Sequence, residues 1–411
     1  MSAGNCFVEG SHTNNVLSDI LAKKSVRTLF HPICSVTKRQ VFGVEALSRG
    51  DYNDSVFSPP ELFSYAVNPG DILDLDRIFR EKAIKNYSLQ YKAGEQNPLL
   101  FLNINTSVLI GSTIGSNSLA DLVCSHGIEP QEVVIELLES GIENEEILLK
   151  FVNNYREMGF RIALDDVGAG CSNLNRMVAI QPSIIKIDRF LIQDIHQEFY
   201  KRSVFKGIVS IAHDIGAMVV AEGVETEQEA LVCLEDGADY LQGFYFCKPL
   251  PSSGDISSVS EKKLKTLASS FKYHCLTELK MKKRRSYEQI TTLKELVKQI
   301  TTLANLDYDE IFRNLKAKNS NLECFYILNE HGVQLSTTVG GNFLSSGQLY
   351  QPAGIGFDHG MKRYVISLQS GLTRYISGHY LSLASGRVCQ TLAELIEWKG
   401  VRYILCIDFT Y

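Results

Sequence analysis

From residue 28 to about 250, short apolar runs alternate with longer amphipathic stretches. The runs are TLFHPICSV (28–36), VFGVEAL (41–47), LLFLNIN (99–105), VVIELLE (133–139), RIALDDV (161–167), IIKID (184–188), MVVAEGV (218–224) and YLQGFYF (240–246). Most are too short for helices and rich in Val, Ile and Phe, the pattern of strands buried on both faces. Between them, ENEEILLKFVNNYREM, EFYKRSVFKGIVSIAHDIG and TEQEALVCLEDG place apolar residues at helical spacing. Strand and helix in alternation predict a largely parallel sheet, and eight runs fit a closed (β/α)8 barrel of the TIM type. A doubly wound open sheet is the alternative. Only TKRQ separates the first two runs, too little for a helix, so they are expected to form a hairpin with one strand antiparallel.

The segment PLPSSGDISS (249–258) has the Pro, Gly and Ser content of a linker. Beyond it, Leu264, Leu267, Phe271 and Cys275, then Ile290, Leu293, Val297 and Ile300, recur every three or four residues and predict helix. KMKKRR (280–285), between these stripes, reads as a solvated helix face, with an anionic-lipid or nucleic-acid patch as the alternative. From residue 322, strand-like runs return as LECFYIL, RYVISLQ, TRYISGHYLSL, RVCQTLAEL and VRYILCIDF, separated by Gly-containing turns. The expected organisation is a barrel over 20–252, a helical linker over 253–318 and a small antiparallel α+β domain over 319–411.

Composition narrows the function. Apolar residues form 45% of the 411-residue chain and the net charge is −6, which supports a normal core and argues against a nucleic-acid polymer as partner. Ten cysteines lie scattered with no Cys-x-x-Cys pair, as in a reducing cytosol rather than a disulfide frame or zinc site. The polar N-terminus has no signal-peptide character, and no apolar run reaches membrane-spanning length, so a cytoplasmic protein without a membrane span is expected.

The candidate chemistry sits at the C-terminal ends of the barrel runs: Glu45, Asn103, Glu136, Asp165 with Asp166, Lys186 with Asp188, Glu222 and Gln242. Barrel enzymes build their sites at that face from the ends of several strands. Any one of these residues alone reads as a strand-end cap. Several carboxylates converging on one mouth would repel one another unless a cation neutralised them. Carboxylates and an amide oxygen, with no Cys or His, are hard donors suited to Mg2+ or Mn2+. Adjacent aspartates allow one carboxylate to bridge two ions, the layout of two-metal phosphodiester hydrolysis, and Lys186 adds charge where a phosphorane would form.

The segments VEALSR, LNIN, ELLE, LDDVGAG, IKIDRF, AEGVET and LQGFYF resemble, in order, the motifs of the EAL-domain cyclic di-GMP phosphodiesterases, over roughly 25–250. The resemblance implies a barrel that opens one phosphodiester bond of cyclic di-GMP to give linear pGpG. It implies that Glu45, Asn103, Glu136 and Asp165 hold a first metal, and Asp165, Asp166 and Glu222 a second. Lys186 would orient the attacking water, with Glu222 a candidate base. Arg49 would contact a phosphate, Gln242 would support the metal-water network, Asp188 belongs to the substrate-binding set, and Glu139 would brace the loop after Asp166. A homodimer through the barrel is also implied. Two departures stand out. The loop reads DDVGAGCSNL where the family has DDFGTGYSSL, and His31 stands where the family has a guanine-contacting Gln. The C-terminal region resembles, less specifically, a PAS/Cache-like sensor fold, in which Tyr364, Arg374, Tyr375 and Tyr380 either line a small-molecule pocket or face a solvated sheet. A cyclic di-GMP receptor without turnover is the alternative function. A glycosidase would give no role to Asn103, Lys186 and the paired aspartates.

Overall fold

The computed structural model describes residues 16–66, 68–91, 97–105, 118–138, 145–170, 174–254, 256–302, 310, 313, 316–317, 322–340 and 351–410. Eight strands close into a barrel: β1 (Val26–Ser35), β2 (Gln40–Tyr52), β3 (Leu99–Asn103), β4 (Val133–Leu138), β5 (Arg161–Val167), β6 (Ile184–Ile187), β7 (Met218–Ala221) and β8 (Tyr240–Gln242). Strands β2 to β8 pair in parallel. β1 is antiparallel to both β2 and β8 and closes the ring. The expected hairpin and single antiparallel strand are therefore present. Two runs end as strands three or more residues before their apolar patterns do: β7 stops at Ala221 and β8 at Gln242. The apolar residues beyond them, Val224 and Phe246, are buried in the loops that follow.

Alternation along the strands creates two layers. Outward residues such as Val133, Ile135 and Leu137 pack in the large core containing helix residues such as Phe151, Phe205 and Ile208. Inward residues Ile33, Phe101, Val134, Ala163, Ile184, Val220 and Tyr240 form a separate plug inside the ring. In β2 the plug position is Gly43, where an added Cβ would lie 2.4 Å from the Phe101 ring, so only glycine leaves room for that side chain. One pleat period further toward the mouth, each strand presents its next inward residue. Those residues are His31, Glu45, Asn103, Glu136, Asp165, Lys186, Glu222 and Gln242.

The chain divides into compact units at 276/277. That point lies inside one continuous helix, Ile256–Thr302. Its first part packs Leu264 and Leu267, fully buried, in the barrel unit. Its last part contributes Leu293, Leu296 and Ile300 to the core of the second unit. There, β9 (Leu322–Asn329), β10 (Arg374–Ile376), β11 (Val388–Trp398) and β12 (Val401–Thr410) form an antiparallel sheet in the order β9-β12-β11-β10. Lys399 and Gly400 both take positive φ and join β11 to β12 in a two-residue turn opposite the Trp398–Val401 pair.

The run RYVISLQ is not a strand; Arg363–Gln369 is a helix. Tyr364, Val365 and Leu368 are buried on one face while Ile366 is 49% exposed, a helical distribution that so short a run cannot distinguish from a buried strand. The Tyr364 hydroxyl is buried between Tyr326 and His359 Nδ1, Arg374 pairs with Glu394, and Tyr380 bonds Thr391 and the buried Asp408. Among the described residues, no helix is long and apolar enough to cross a membrane, and the cysteines are free thiols.

Candidate active site

Lys186, 1% exposed, stands at the centre of the mouth. Its Nζ lies 2.6 Å from Glu136 Oε1, 2.6 Å from Glu222 Oε1, 3.0 Å from Asp165 Oδ1 and 3.7 Å from Glu45 Oε1. One ammonium thus faces four carboxylates. Asn103 Nδ2 donates to Glu45 Oε1 at 3.1 Å, which leaves the Asn103 carbonyl oxygen available as a ligand. Gln242 Nε2 donates to Glu45 Oε2 at 2.7 Å and lies 3.0 Å from His31 Nδ1. Burial holds the His31 pKa down, so the ring is neutral, with Nδ1 as the acceptor.

Regular pleating would send Asp165 and Asp166 to opposite faces. Instead, the β5–β6 register shifts between Leu164 and Val167, and Asp166 takes φ 56°. This irregularity turns both carboxylates toward the mouth, the re-aiming that bulges provide next to sites. Two clusters result, Glu45 with Glu136 and Asp165, and Asp165 with Asp166 and Glu222. Within each cluster, one oxygen per residue lies within 4.8 Å of the others. Asp165 belongs to both.

Burial pushes the Glu136 and Glu222 carboxyls well above the ordinary range and raises Asp165, against the opposing pull of Lys186. Burial, then the charges of Asp165 and Asp188, push Asp166 up to about 6. Glu45 ends below its ordinary value: burial opposes its charge, but Lys186 and the amides of Gln242 and Asn103 outweigh it. Protons on the raised carboxyls take up charge that a cation would otherwise neutralise. Apart from the Lys186 ammonium, both Glu136 oxygens, Asp165 Oδ1 and Glu222 Oε1 are buried without a donor. Orphaned hard oxygens in two triads that share one residue fit a divalent cation.

Beside the triads opens a cleft of about 430 Å³, lined by Glu45, Asn103, Asp165 and Asp166 and by Arg49, Phe63 and Phe79. Arg49 Nη1 donates to the Ser48 carbonyl at 2.6 Å. Asp188 caps the helix Arg189–Ile192 by accepting from Phe190 N. His31 does not line the cleft, and Glu139 lies outside the described residues. The sequence reading missed Asp76 and Arg80, which also line the cleft. Asp76 is buried, accepts from Arg80 at 2.6 Å and from Asn105 N, and shares a helix face with Phe79 and Ala83. A charge on that apolar stripe was the available signal.

The EAL domain model matches residues 14–249. The cyclic di-GMP phosphodiesterase PdeR of Escherichia coli K12 is 30% identical over 215 residues, 52% of this chain and 32% of that protein. The cyclic di-GMP phosphodiesterase RocR of Pseudomonas aeruginosa is 27% identical over 225 residues, 54% of this chain and 57% of that protein. The chain therefore spans from about a third to somewhat over half the length of these relatives. The crystal structure of the Bacillus subtilis YkuI protein, with an EAL domain in complex with cyclic di-GMP and calcium, superposes with a TM-score of 0.79. It is 22% identical and covers 96% of this chain and 99% of that one, a likeness of fold. Klebsiella pneumoniae BlrP1, as a manganese and cyclic di-GMP complex, gives 0.51 at 29% identity over 56% of each chain. With the barrel, its mouth and more than half of its length matched, the chain belongs to the EAL domain family.

Proposed function

We propose that this chain is a divalent-metal-dependent phosphodiesterase that hydrolyses cyclic di-GMP to linear pGpG. The observation that carries the reading is the pair of carboxylate triads sharing Asp165, with the buried Lys186 ammonium between them. The EAL relatives named for cyclic di-GMP hydrolysis support the substrate. Glu45, Asn103, Glu136 and Asp165 would hold one Mg2+ or Mn2+ ion, and Asp165, Asp166 and Glu222 a second. When bound, the ions acidify a water and neutralise charge on the phosphoryl oxygens. The chain's own groups do the rest. Lys186 sets a positive charge where the phosphorane's negative charge grows. Glu222, beside the Lys186 ammonium, is the candidate base for the water's proton. Arg49 contributes its guanidinium to a phosphate, with Asp188 in the substrate-binding set. Gln242 and Asn103 fix the rotamer of Glu45.

A second reading, a cyclic di-GMP receptor without turnover, is favoured by His31 and by Val167, Ala169 and Cys171 in the DDVGAGCSNL loop. Incubation with cyclic di-GMP and Mn2+ or Mg2+, followed by nucleotide chromatography, separates the two. Appearance of pGpG supports the enzyme. Tight binding without product overturns it in favour of the receptor. The fuller proposal is a cytoplasmic homodimer whose C-terminal unit acts as a PAS/Cache-like sensor. A cleft of about 620 Å³ in that unit, lined in part by His331, Leu372, Leu395 and Arg402, supports a small-molecule input.

A further inference from the structure

Among the described residues of the long helix Ile256–Thr302, the exposed Lys263 reaches back toward the barrel mouth. Lys263 Nζ donates to the Tyr245 carbonyl at 2.7 Å and to the Phe246 carbonyl at 3.1 Å, and lies 5.7 Å from the Tyr245 ring centroid. Those carbonyls belong to the segment that leaves β8 directly after Gln242. The same segment is interlocked with the turn after β7. Val224 N donates to the Gln242 carbonyl at 3.0 Å, and Tyr245 N donates to the Val224 carbonyl at 2.9 Å. The two backbones approach so closely that a Cβ on Gly243 would lie 2.1 Å from Val224 O and 2.3 Å from Val224 N.

A short chain of contacts therefore runs from the helix to two residues of the mouth. One branch passes through Val224 to Glu222, two residues away in the chain. The other passes through Gln242 to Glu45 Oε2 at 2.7 Å. The helix end of the clamp is firmly set. Leu264 and Leu267 are fully buried, and His274 Nε2 lies 2.9 Å from Glu235. One ammonium donating to two consecutive carbonyls is a charge-assisted contact that fixes the direction of both peptide units.

We propose that Lys263 is a positioning residue for the metal site: by clamping the carbonyls of Tyr245 and Phe246 it holds Glu222 and Gln242 in ligating and supporting geometry. The inference rests on the phosphodiesterase reading of the mouth. It extends that site to a helix whose far end, through Leu293, Leu296 and Ile300, forms part of the second unit's core. Outer partners of ligating groups typically change metal affinity or activity by about 10- to 100-fold.

The test compares Lys263→Met, which keeps the apolar stem and loses the donors, with Lys263→Arg, which keeps donation to both carbonyls. Lys265→Met, which removes an exposed side chain paired with Glu261, is the control. Lys263→Met should weaken calorimetric Mn2+ binding about tenfold and lower kcat by a similar factor, with a smaller change in KM. Amide exchange at Val224 and Tyr245 should accelerate. Lys263→Arg and Lys265→Met should resemble the wild type. Wild-type Mn2+ affinity in Lys263→Met overturns the proposal, with or without faster exchange, because the contact would then be structural only. If the wild type hydrolyses nothing while Lys263→Met still weakens Mn2+ binding, the phosphodiesterase reading falls and the clamp stands.

Discussion

At the scale of single residues, Asp165 carries more of the site than its neighbours because it is the one carboxylate common to both triads. Glu45→Ala or Glu136→Gln should leave the Asp165, Asp166 and Glu222 triad and retain one Mn2+ per chain by calorimetry. Asp165→Asn should retain none at micromolar metal, and all three should lose hydrolysis. Equal stoichiometry in the three variants would refute the shared-ligand geometry. A second residue contributes to acid sensitivity. His359 bridges Tyr364, whose hydroxyl donates to Nδ1, and Gln334, whose Oε1 accepts from Nε2, so both ring nitrogens are used by the neutral form. Burial, then Lys362, lowers its pKa from 6.5 to about 4. The unfolded chain therefore takes up this proton first. Its contribution is flat above about pH 6.5 and is lost as pH falls from there toward 4. Guanidinium midpoints of the wild type should drop between neutral pH and about pH 5. Those of His359→Gln should drop less, and parallel curves would contradict the assignment.

At the scale of elements, the crossing of the β7 and β8 exits shows how local sequence fixes the mouth. Gly243→Ala would drive a methyl into the Val224 backbone, which has no rotamer with which to yield. It should cost about 3 kcal/mol of barrel stability, the upper end of what overpacking costs, measured by denaturant unfolding. Much of this construction is legible in the sequence, because strands buried on both faces announce themselves as apolar runs and the polar residue breaking each run marks its mouth end. Glu136 after Val134 and Lys186 after Ile184 are cases of that rule. What escaped reading depended on partners far away in the chain. The turn of Asp166 comes from a register shift against β6. Asp76 became a cleft residue only when its helix packed there, and RYVISLQ became a helix because its buried face suits the second sheet. Only Asp76 carried a local signal, its charge on an apolar helix stripe; the other two had none within a few residues.

At the scale of the whole molecule, the chain joins a barrel whose interior is layered, apolar plug below and ionisable ring above, to an antiparallel sheet with a core of its own. A single helix, Ile256–Thr302, supplies core residues to each unit. The plug gives the acidic ring a dry floor, and burial there holds the Glu136 and Glu222 carboxyls well above the ordinary range. The hairpin joining β11 to β12 carries a practical corollary. Its Trp398 is the sole indole in the chain. Indole emission, excited to the red of tyrosine absorption, therefore comes from the C-terminal unit, and its response to Mn2+ or nucleotide added at the mouth would be a built-in optical record of communication between the two units.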